Sequence, residues 1–194
     1  VARYPAREVA IADQLGADLV LTGNPCHMGT FQQRTEYLPY AVDQDLFHPG
    51  AEDRAGAAVI GSLFPERAAF AAEASVELLH GLGHEDYAAR LRSLQISVHH
   101  HASGGKGLLV MRPWETMGSG TLLLTEEDET HKLHPDIPWL TYRDADQCRS
   151  MIADLLANPD RLRKVAEFQH AAVMAAHTYR HRAEAILEMI GSDR

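Results

Sequence analysis

The sequence has 194 residues, of which 45% are hydrophobic and 23% are charged, as in an ordinary globular protein. Its 27 Asp and Glu residues outnumber its 18 Lys and Arg residues, so the formal net charge is -9. This balance excludes a general binder of nucleic-acid backbones and a polybasic membrane-surface protein, because both need a basic stripe. It leaves open a local basic pocket for one small anion.

Cysteine usage and hydropathy narrow the class of protein further. Cys26 and Cys148 are too few for a disulfide framework or a cysteine zinc site, and they suit a cytoplasmic protein. No apolar run reaches the roughly 18 residues of a membrane-spanning helix, so no transmembrane segment is predicted. The chain starts with Val1 inside what is predicted to be a running helix, which indicates that an upstream portion is missing.

Residues 1–42 are predicted to be the end of a first domain. Apolar residues at helical spacing predict a helix over Ala6–Leu15, and the apolar run Asp18–Thr22 predicts a buried strand. A second extended segment, Glu36–Val42, contains a proline that suits an edge strand or a linker. Residues 43–55 are polar and without periodicity, and we interpret them as a linker between domains.

Residues 56–194 alternate between strand and helix patterns and are predicted to form a complete second domain. Strands are predicted over Ala57–Gly61, Val76–His80, Ile96–His100, Thr121–Thr125 and Trp139–Tyr142. Helices are predicted over Pro65–Ala74, Glu85–Leu94, Pro113–Ser119, Ala145–Leu156, Pro159–Ala176 and Tyr179–Ile190. The alternation implies right-handed crossovers and a mainly parallel sheet. The predicted fold is α/β and doubly wound, with a helical C-terminal tail.

The segment Gly104–Thr125, GGKGLLVMRPWETMGSGTLLLT, is the strongest candidate for a ligand site. Its glycine-rich loop leads into a helix, and the N-terminus of a helix holds phosphate through free backbone N–H groups and a partial positive charge. Lys106 and Arg112 flank this end and can add charge-assisted bonds to a diphosphate. Glu115, predicted in the first turn, can accept bonds from two vicinal sugar hydroxyls. A first-turn glutamate can equally do no more than complement the helix dipole.

In an open parallel sheet, a ligand lies at the carboxyl ends of the strands. The residues predicted there are Gly61-Ser62, His80-Gly81, His99 to His101 and Glu126-Glu127. Gly61 would let a phosphate approach the backbone, whereas Arg67 in the following helix is predicted to be solvated. The turn matches neither GxGxxG nor the Walker pattern, so no standard dinucleotide or P-loop fingerprint is present.

Metal binding is not predicted, and neither is a cofactor. The adjacent residues His99, His100 and His101 alternate between the two faces of a strand and cannot readily converge on one ion. His131 and His134 lie in a proline-containing loop. The acidic run from Glu126 to Glu129 and the C-terminal HTYRHR sequence are both predicted to be solvated. No G-x-S-x-G elbow supports serine hydrolysis.

The ordered motifs resemble the C-terminal domain of GT-B glycosyltransferases, and most closely the CgeB-like spore-maturation group, near glycosyltransferase group 1. The resemblance covers about residues 17 to 190. It is carried by the linker YLPYAVDQDLFHP, the turn GSLFPER, the strand QISVHH, the segment RPWETMGSGTLLLT and the closing HTYRHR. It implies two Rossmann-like domains facing across a cleft, with an activated sugar donor held mainly by the C-terminal one.

By position, Glu115 resembles the glutamate that holds the donor's ribose, and Arg112 and the Gly61-Ser62 turn resemble elements around the diphosphate. The candidate residues for binding a nucleotide-sugar are Gly61, Ser62, Arg67, His80, Gly81, Lys106, Arg112, Glu115 and Gly118. Many group 1 relatives carry a further acid where this chain has Gly107, which leaves retaining or inverting chemistry open. The catalytic base of an inverting member would lie in the absent N-terminal domain.

The predicted function is transfer of a sugar from a nucleotide-diphosphate donor to an unknown acceptor, without a required metal. One alternative is a sugar-nucleotide epimerase of the same architecture, because a fold does not fix a reaction. The other is a non-catalytic module that binds a nucleotide or a partner protein. The acceptor and the oligomeric state are left open by the sequence.

Overall fold

The computed structural model of this chain describes residues 6–50, 53–101 and 110–191. The N-terminal part holds a helix and a two-stranded parallel sheet: α1 (Ala6–Leu15), β1 (Leu19–Thr22) and β2 (Arg34–Tyr37). The extended segment was predicted over Glu36–Val42, but the strand that pairs with β1 begins at Arg34 and ends at Tyr37. Beyond Tyr37, Pro39 has no N–H to donate to a ladder, and Val42 instead forms an isolated bridge with Thr178.

The main sheet has five strands and is parallel throughout. Its strands are β3 (Ala57–Ile60), β4 (Glu77–Leu79), β5 (Ile96–His99), β6 (Leu122–Glu126) and β7 (Thr141–Tyr142). Their spatial order is β4-β3-β5-β6-β7. The reversal of direction at β3 is the mark of a doubly wound sheet, so the predicted fold class is confirmed.

Six helices connect and follow these strands. They are α2 (Pro65–Glu73), α3 (His84–Ser93), α4 (Met111–Gly118), α5 (Ala145–Ala157), α6 (Pro159–Ala176) and α7 (Tyr179–Gly191). The prediction placed the start of α4 at Pro113, but the helix begins two residues earlier. Proline is tolerated anywhere in a first turn, where its missing N–H would have no helical partner.

Alternate residues of each strand contribute to two separate cores, one on each face of the sheet. Val59 and Leu122 belong to one cluster with α2 and α5, whereas Ala58 and Leu123 belong to the other with α3 and α4. Helix α6 reaches both clusters. Burial on both faces explains why β3 and most of β6 are apolar runs.

The segment after β2 is packed against the second core, although the sequence suggested a polar linker. Val42 and Phe47 are 0% and 1% exposed, and Arg92 donates to the carbonyl of Leu46 over 3.0 Å. Arg182 of α7 donates to the backbone carbonyls of Pro39 and Tyr40. These contacts tie both ends of the chain together near the start of the linker. The division into residues 1–42, 43–55 and 56–194 remains a prediction.

The last strand of the sheet is too short to pair with all of β6. β7 pairs only with the last two residues of β6, which leaves the backbone of Leu123 without a strand partner on that side. Gln169 of α6, which is fully buried, donates to the Leu123 carbonyl over 3.1 Å and accepts from the Leu123 N–H over 2.8 Å. One side-chain amide thus replaces a missing residue of the ladder.

Within the described residues, no helix combines the length and the apolar character needed to cross a membrane.

Candidate active site

A cavity of about 590 Å³ lies at the carboxyl edge of the main sheet. A volume of this size suits a small-molecule ligand. The ends of β3 and β4 form its floor, and the first turns of α3 and α4 form its walls. The structure brings six of the nine predicted site residues to this cavity: Gly61, Ser62, His80, Gly81, Arg112 and Glu115.

The other three predicted residues do not line the cavity. Lys106, with the predicted glycine loop, lies outside the described residues. Gly118 lies at the far end of α4, where a Cβ would come within 2.5 Å of Val42 Cγ2, so it makes room for the core. Arg67 is 4% exposed, so the prediction of a solvated side chain is wrong. It donates to the carbonyls of Ser62 and His100, which the sequence did not indicate as partners.

Two guanidinium groups converge beside Gly61. A Cβ placed on that residue would lie 2.6 Å from Arg112 Nη1 and 2.9 Å from Arg67 Nη1, so both groups approach this closely only because residue 61 is glycine. Burial, and then the nearby charge of Arg112, lower the pKa of Arg67 below its ordinary value. Among the described residues, no carboxylate forms an ion pair with either arginine. A pair of like charges without a counter-charge is a ready anion site.

Helix N-termini reinforce the positive character of this edge. The N-cap residues of α2, α3 and α4 are Phe64, Gly83 and Val110, and none of them caps its helix with a side chain. By contrast, Asp144 accepts from the Gln147 N–H at the start of α5. The N-cap side chains therefore do not compete with a ligand for the first N–H groups of these three helices.

Glu115 is the fifth residue of α4, not a member of its first turn as predicted. A capping acid acts on the first three helical residues, so the dipole-complementing alternative loses its geometric basis. The residue is 7% exposed and lines the cavity. Burial raises the pKa of its carboxyl, while a hydrogen bond from Tyr87 and the charges of His84 and Arg112 lower it.

The sequence motifs did not indicate Tyr87 and His84, which also line the cavity. Both belong to α3, and His84 rests against Phe47 with 5.5 Å between ring centroids. The i,i+3 spacing of these two residues was a usable signal, because it puts them on one helix face near the end of β4.

Comparisons with known proteins identify the family and the fold. A family model described as glycosyl transferase-like matches residues 34–188, which is most of the chain. The chain belongs to the glycosyl transferase-like family. A search of curated proteins found none that matches this sequence.

Solved structures of GT-B glycosyltransferases share the fold. Sucrose-phosphate synthase from Thermosynechococcus elongatus is 13% identical with a TM-score of 0.68, over 98% of this chain and 62% of its own. HepE from Anabaena, in complex with UDP and glucose, is 11% identical with a TM-score of 0.73, over 97% and 68%. The C-terminal domain of LpcC, a group 1 glycosyl transferase from Francisella tularensis, is 13% identical with a TM-score of 0.52, over 69% and 97%.

These likenesses confirm the resemblance to GT-B glycosyltransferases that the sequence motifs indicated. The finer assignment to the CgeB-like group remains a prediction. The chain spans only 62% of the synthase to which it is similar.

Two acids of the run predicted to be solvated, Glu126 and Asp128, are largely buried. The side chains of Glu126 and Asp128 are 13% and 6% exposed. Glu126 Oε2 lies 3.3 Å from His100 Nδ1, and Asp128 Oδ2 lies 3.7 Å from His101 Nε2. The acidic run therefore faces the histidines of the neighbouring strand, a contact that parallel pairing of β5 and β6 creates.

One group of three possible metal ligands exists among the described residues: His134, Asp136 and His177. Its atoms are already engaged, since His177 Nε2 donates to Asp136 over 2.8 Å and Arg182 donates to His177 Nδ1 over 2.8 Å. His134 Nε2 lies 3.0 Å from the Tyr37 hydroxyl. The adjacent guanidinium also opposes a second cation. Within HTYRHR, His177 and Thr178 are buried, so the prediction of a solvated turn is wrong for these two residues. Metal independence remains a prediction.

A second cavity, of about 450 Å³, lies at the amino edge of the sheet, between Arg54 and the first turn of α6. Arg54 is engaged there with the Ser119 carbonyl and the Thr121 hydroxyl. Ligands of open parallel sheets bind at the carboxyl edge. The first cavity is therefore the candidate active site.

Proposed function

We propose that this chain carries the donor-binding half of a glycosyltransferase that transfers a sugar from a nucleoside diphosphate to an acceptor. The observation that carries the proposal is the convergence of Arg67 and Arg112 beside Gly61, next to a cavity that Arg112 and the buried carboxylate of Glu115 line. Neither arginine forms an ion pair with another described residue. Arg112 and Glu115 are three residues apart on α4, so their side chains lie on one helix face. The cationic end suits a diphosphate, and the carboxylate suits the two hydroxyls of a ribose.

The same groups account for the chemistry expected of the donor site. When the bond between the sugar and the diphosphate breaks, negative charge develops on the leaving group. Arg67, Arg112 and the uncapped helix N-termini are fixed in place before the reaction, so they can stabilise that charge without reorganising. Because the arginines supply the positive charge, the proposal needs no metal or other cofactor. A cytoplasmic location remains an expectation from cysteine usage.

UDP is the first ligand to test, because HepE, which has a similar fold, was solved with UDP and glucose. GDP and ADP serve as alternatives. We expect Glu115→Gln to lower the affinity for the nucleotide about tenfold or more, since hydrogen bonds to a charged acceptor are worth about 1.5–3 kcal/mol. Calorimetric titration measures the change. Glu167→Gln, on the exposed face of α6, is the matched control.

The charge of Arg112 is tested in the same way. Arg112→Gln removes the charge from the less buried of the two arginines and is expected to lower nucleotide affinity about tenfold, while affinity for the uncharged nucleoside uridine stays unchanged. Arg161→Gln, an exposed arginine paired with Asp154, is the control. The donor-site proposal fails if the folded wild-type protein binds none of the nucleotides, or if both cavity variants bind as the wild type does.

A further inference from the structure

We propose that His177 is a positioning residue for the donor site: its ring supports Trp114 and so holds α4 in place beside the cavity. This inference rests on the proposed function, because α4 carries Arg112 and Glu115, the two residues predicted to contact the donor. His177 follows the last residue of α6 and does not line the cavity. Its effect on a ligand therefore passes through the helix.

Both ring nitrogens of His177 take part in hydrogen bonds. Arg182 donates to Nδ1 over 2.8 Å, and Nε2 lies 2.8 Å from Asp136 Oδ2. A guanidinium group can only donate, so Nδ1 accepts and carries no proton. The ring proton is therefore on Nε2, which donates a hydrogen bond to the Asp136 carboxylate. Two bonds at different ring atoms fix both the position of this neutral ring and its tilt.

The groups that hold the ring are themselves anchored to backbone. Besides His177, Arg182 donates to three backbone carbonyls, those of Pro39, Tyr40 and Ala176. The Val42 N–H donates to the His177 carbonyl over 2.9 Å. The support of the ring therefore leads back to the backbone of the segment after β2 and of the end of α6.

Trp114 of α4 lies against this ring. The His177 and Trp114 rings are stacked, with 4.5 Å between their centroids and 19° between their planes. His134 meets the indole edge-on, with 5.0 Å between centroids. Trp114 is 0% exposed, and its indole N–H has no hydrogen-bond partner among the described residues. Ring packing, rather than a hydrogen bond, therefore determines where the indole lies.

The position of the indole also determines how α4 faces the cavity. Successive residues of a helix are rotated by about 100°, so Trp114 points to the side of α4 away from Arg112. The indole therefore sets how deeply the helix is packed and how it is turned. Arg112 and Glu115 line the cavity from this helix. A tilt of α4 would change the hydrogen-bond angles that both residues offer a ligand, and hydrogen bonds weaken steeply at unfavourable angles.

The test compares His177→Phe with the wild type by calorimetric titration of UDP. Phenylalanine keeps a flat ring beside Trp114 but removes both hydrogen bonds, so the ring is free to tilt. We expect UDP to bind about threefold to tenfold more weakly. In a Glu115→Gln background the same substitution is expected to cost less affinity than it does alone, because two changes that act on one ligand contact are not additive. A purely structural role would leave the UDP affinity of the folded protein unchanged.

Asp136 offers a milder pair of variants, because its side chain is 49% exposed. Asp136→Ala removes the acceptor of the Nε2 proton and is expected to weaken UDP binding in the same direction as His177→Phe. Asp136→Asn keeps an oxygen acceptor and is expected to bind UDP nearly as the wild type does. Ile152→Ala, in the core on the other face of the sheet, is the control. It should lower the unfolding free energy without changing the UDP affinity of the folded protein.

The outcomes separate this role from the proposed function. If Glu115→Gln weakens UDP binding while His177→Phe and Asp136→Ala bind UDP as the wild type does, the role of His177 is overturned and the proposed function stands. Equal losses in Asp136→Asn and Asp136→Ala, or full additivity of His177→Phe with Glu115→Gln, would also overturn it. If the wild type binds no nucleotide, or if Glu115→Gln and Arg112→Gln both bind UDP unchanged, the donor site fails and the positioning role fails with it.

Discussion

Gly61 and Gly118 are both closely surrounded glycines, but their neighbours differ in kind. At Gly61, the atoms that a methyl group would meet are the ends of two long arginine side chains. At Gly118, they are the buried Val42 side chain at 2.5 Å and the backbone oxygen of Phe47 at 3.2 Å. The first set can move with little cost to the fold, whereas the second belongs to the core. A substitution at Gly61 is therefore expected to change ligand affinity, and one at Gly118 to change stability.

We expect Gly61→Ala to lower UDP affinity about fivefold or more with little change in unfolding free energy, because it displaces the guanidinium groups. Gly118→Ala is expected to lower the unfolding free energy by about 1–3 kcal/mol through overpacking. Denaturant unfolding and calorimetric titration measure both quantities on both variants. Gly191→Ala, with no atom near its Cβ position, controls for the substitution itself. Undiminished UDP affinity in Gly61→Ala would show that the arginines do not bind the phosphates.

Glu115 also predicts a dependence of stability on pH. Burial raises the pKa of this carboxyl in the folded state above its unfolded value of about 4.3. The folded protein then binds the proton more tightly, so the stability that Glu115 contributes is complete below the unfolded pKa and is lost as pH rises through the folded pKa. Glu115→Gln does not titrate and escapes this loss.

The unfolding free energy of Glu115→Gln minus that of the wild type is therefore expected to increase between pH 4 and pH 8. A raised glutamate pKa in the folded state affects stability over this range. Thermal or denaturant unfolding at a series of pH values measures the difference. The exposed Glu167→Gln should give a flat difference over the same range. A flat profile for Glu115→Gln would mean that its carboxyl is not desolvated in the folded protein.

At the level of elements, sequence periodicity was sufficient for the order and type of the strands and helices. It failed where tertiary partners decide a residue's environment. Arg67 looked solvated because a helix pattern does not show that the Ser62 and His100 carbonyls lie beside it. The sequence places Glu115 in a first turn because its pattern starts the helix at Pro113, whereas α4 begins at Met111. That Glu115 shares a cavity with Tyr87 depends on the packing of α3, which is distant in the sequence.

Gln169 is an element-scale feature that no periodicity indicates. Its amide pairs with both backbone groups of Leu123 and also donates to the Pro138 carbonyl over 3.2 Å. Gln169→Leu keeps the volume of the side chain but leaves the buried N–H and carbonyl groups of Leu123 without partners on that side. Each such group costs about 1–3 kcal/mol, so we expect a loss of about 2–5 kcal/mol in unfolding free energy.

Denaturant unfolding of Gln169→Leu measures this loss, and amide hydrogen exchange at Leu123 is expected to accelerate. Glu167→Leu changes an exposed residue of the same helix and should be close to neutral. An unfolding free energy in Gln169→Leu equal to that of the wild type would mean that the sheet closes over the gap without this amide.

At the scale of the whole molecule, the positive groups at the carboxyl edge of the sheet contrast with the negative net charge. The net charge is -9, yet the carboxyl edge gathers two arginines that have no ion-pair partner among the described residues, and three helix N-termini whose N-cap side chains form no cap. Under the proposed function, local groups would therefore bind an anionic ligand against the field of the protein as a whole. Opposite charge this close to a ligand outweighs distant charges, which salt screens beyond about 10 Å at 0.1 M.

We expect this chain of 194 residues to bind the nucleotide but to transfer little sugar. Transfer requires an acceptor oxygen held against the donor sugar, and such positioning is worth roughly 7–11 kcal/mol of a reaction barrier. The cavity accounts for the nucleotide, and the chain spans 62% of sucrose-phosphate synthase and 68% of HepE. We therefore expect measurable UDP binding with little release of UDP from UDP-glucose.

Calorimetric titration measures UDP binding, and a coupled assay measures UDP release with and without a panel of sugar acceptors. Glu115→Gln serves as the variant that should weaken binding in the first experiment and remove any residual activity in the second. Rapid acceptor-dependent release would mean that this chain positions the acceptor by itself, contrary to our expectation. Conversion of UDP-glucose to an epimer without an acceptor would identify the epimerase alternative instead, because that reaction needs no second substrate to be held in place.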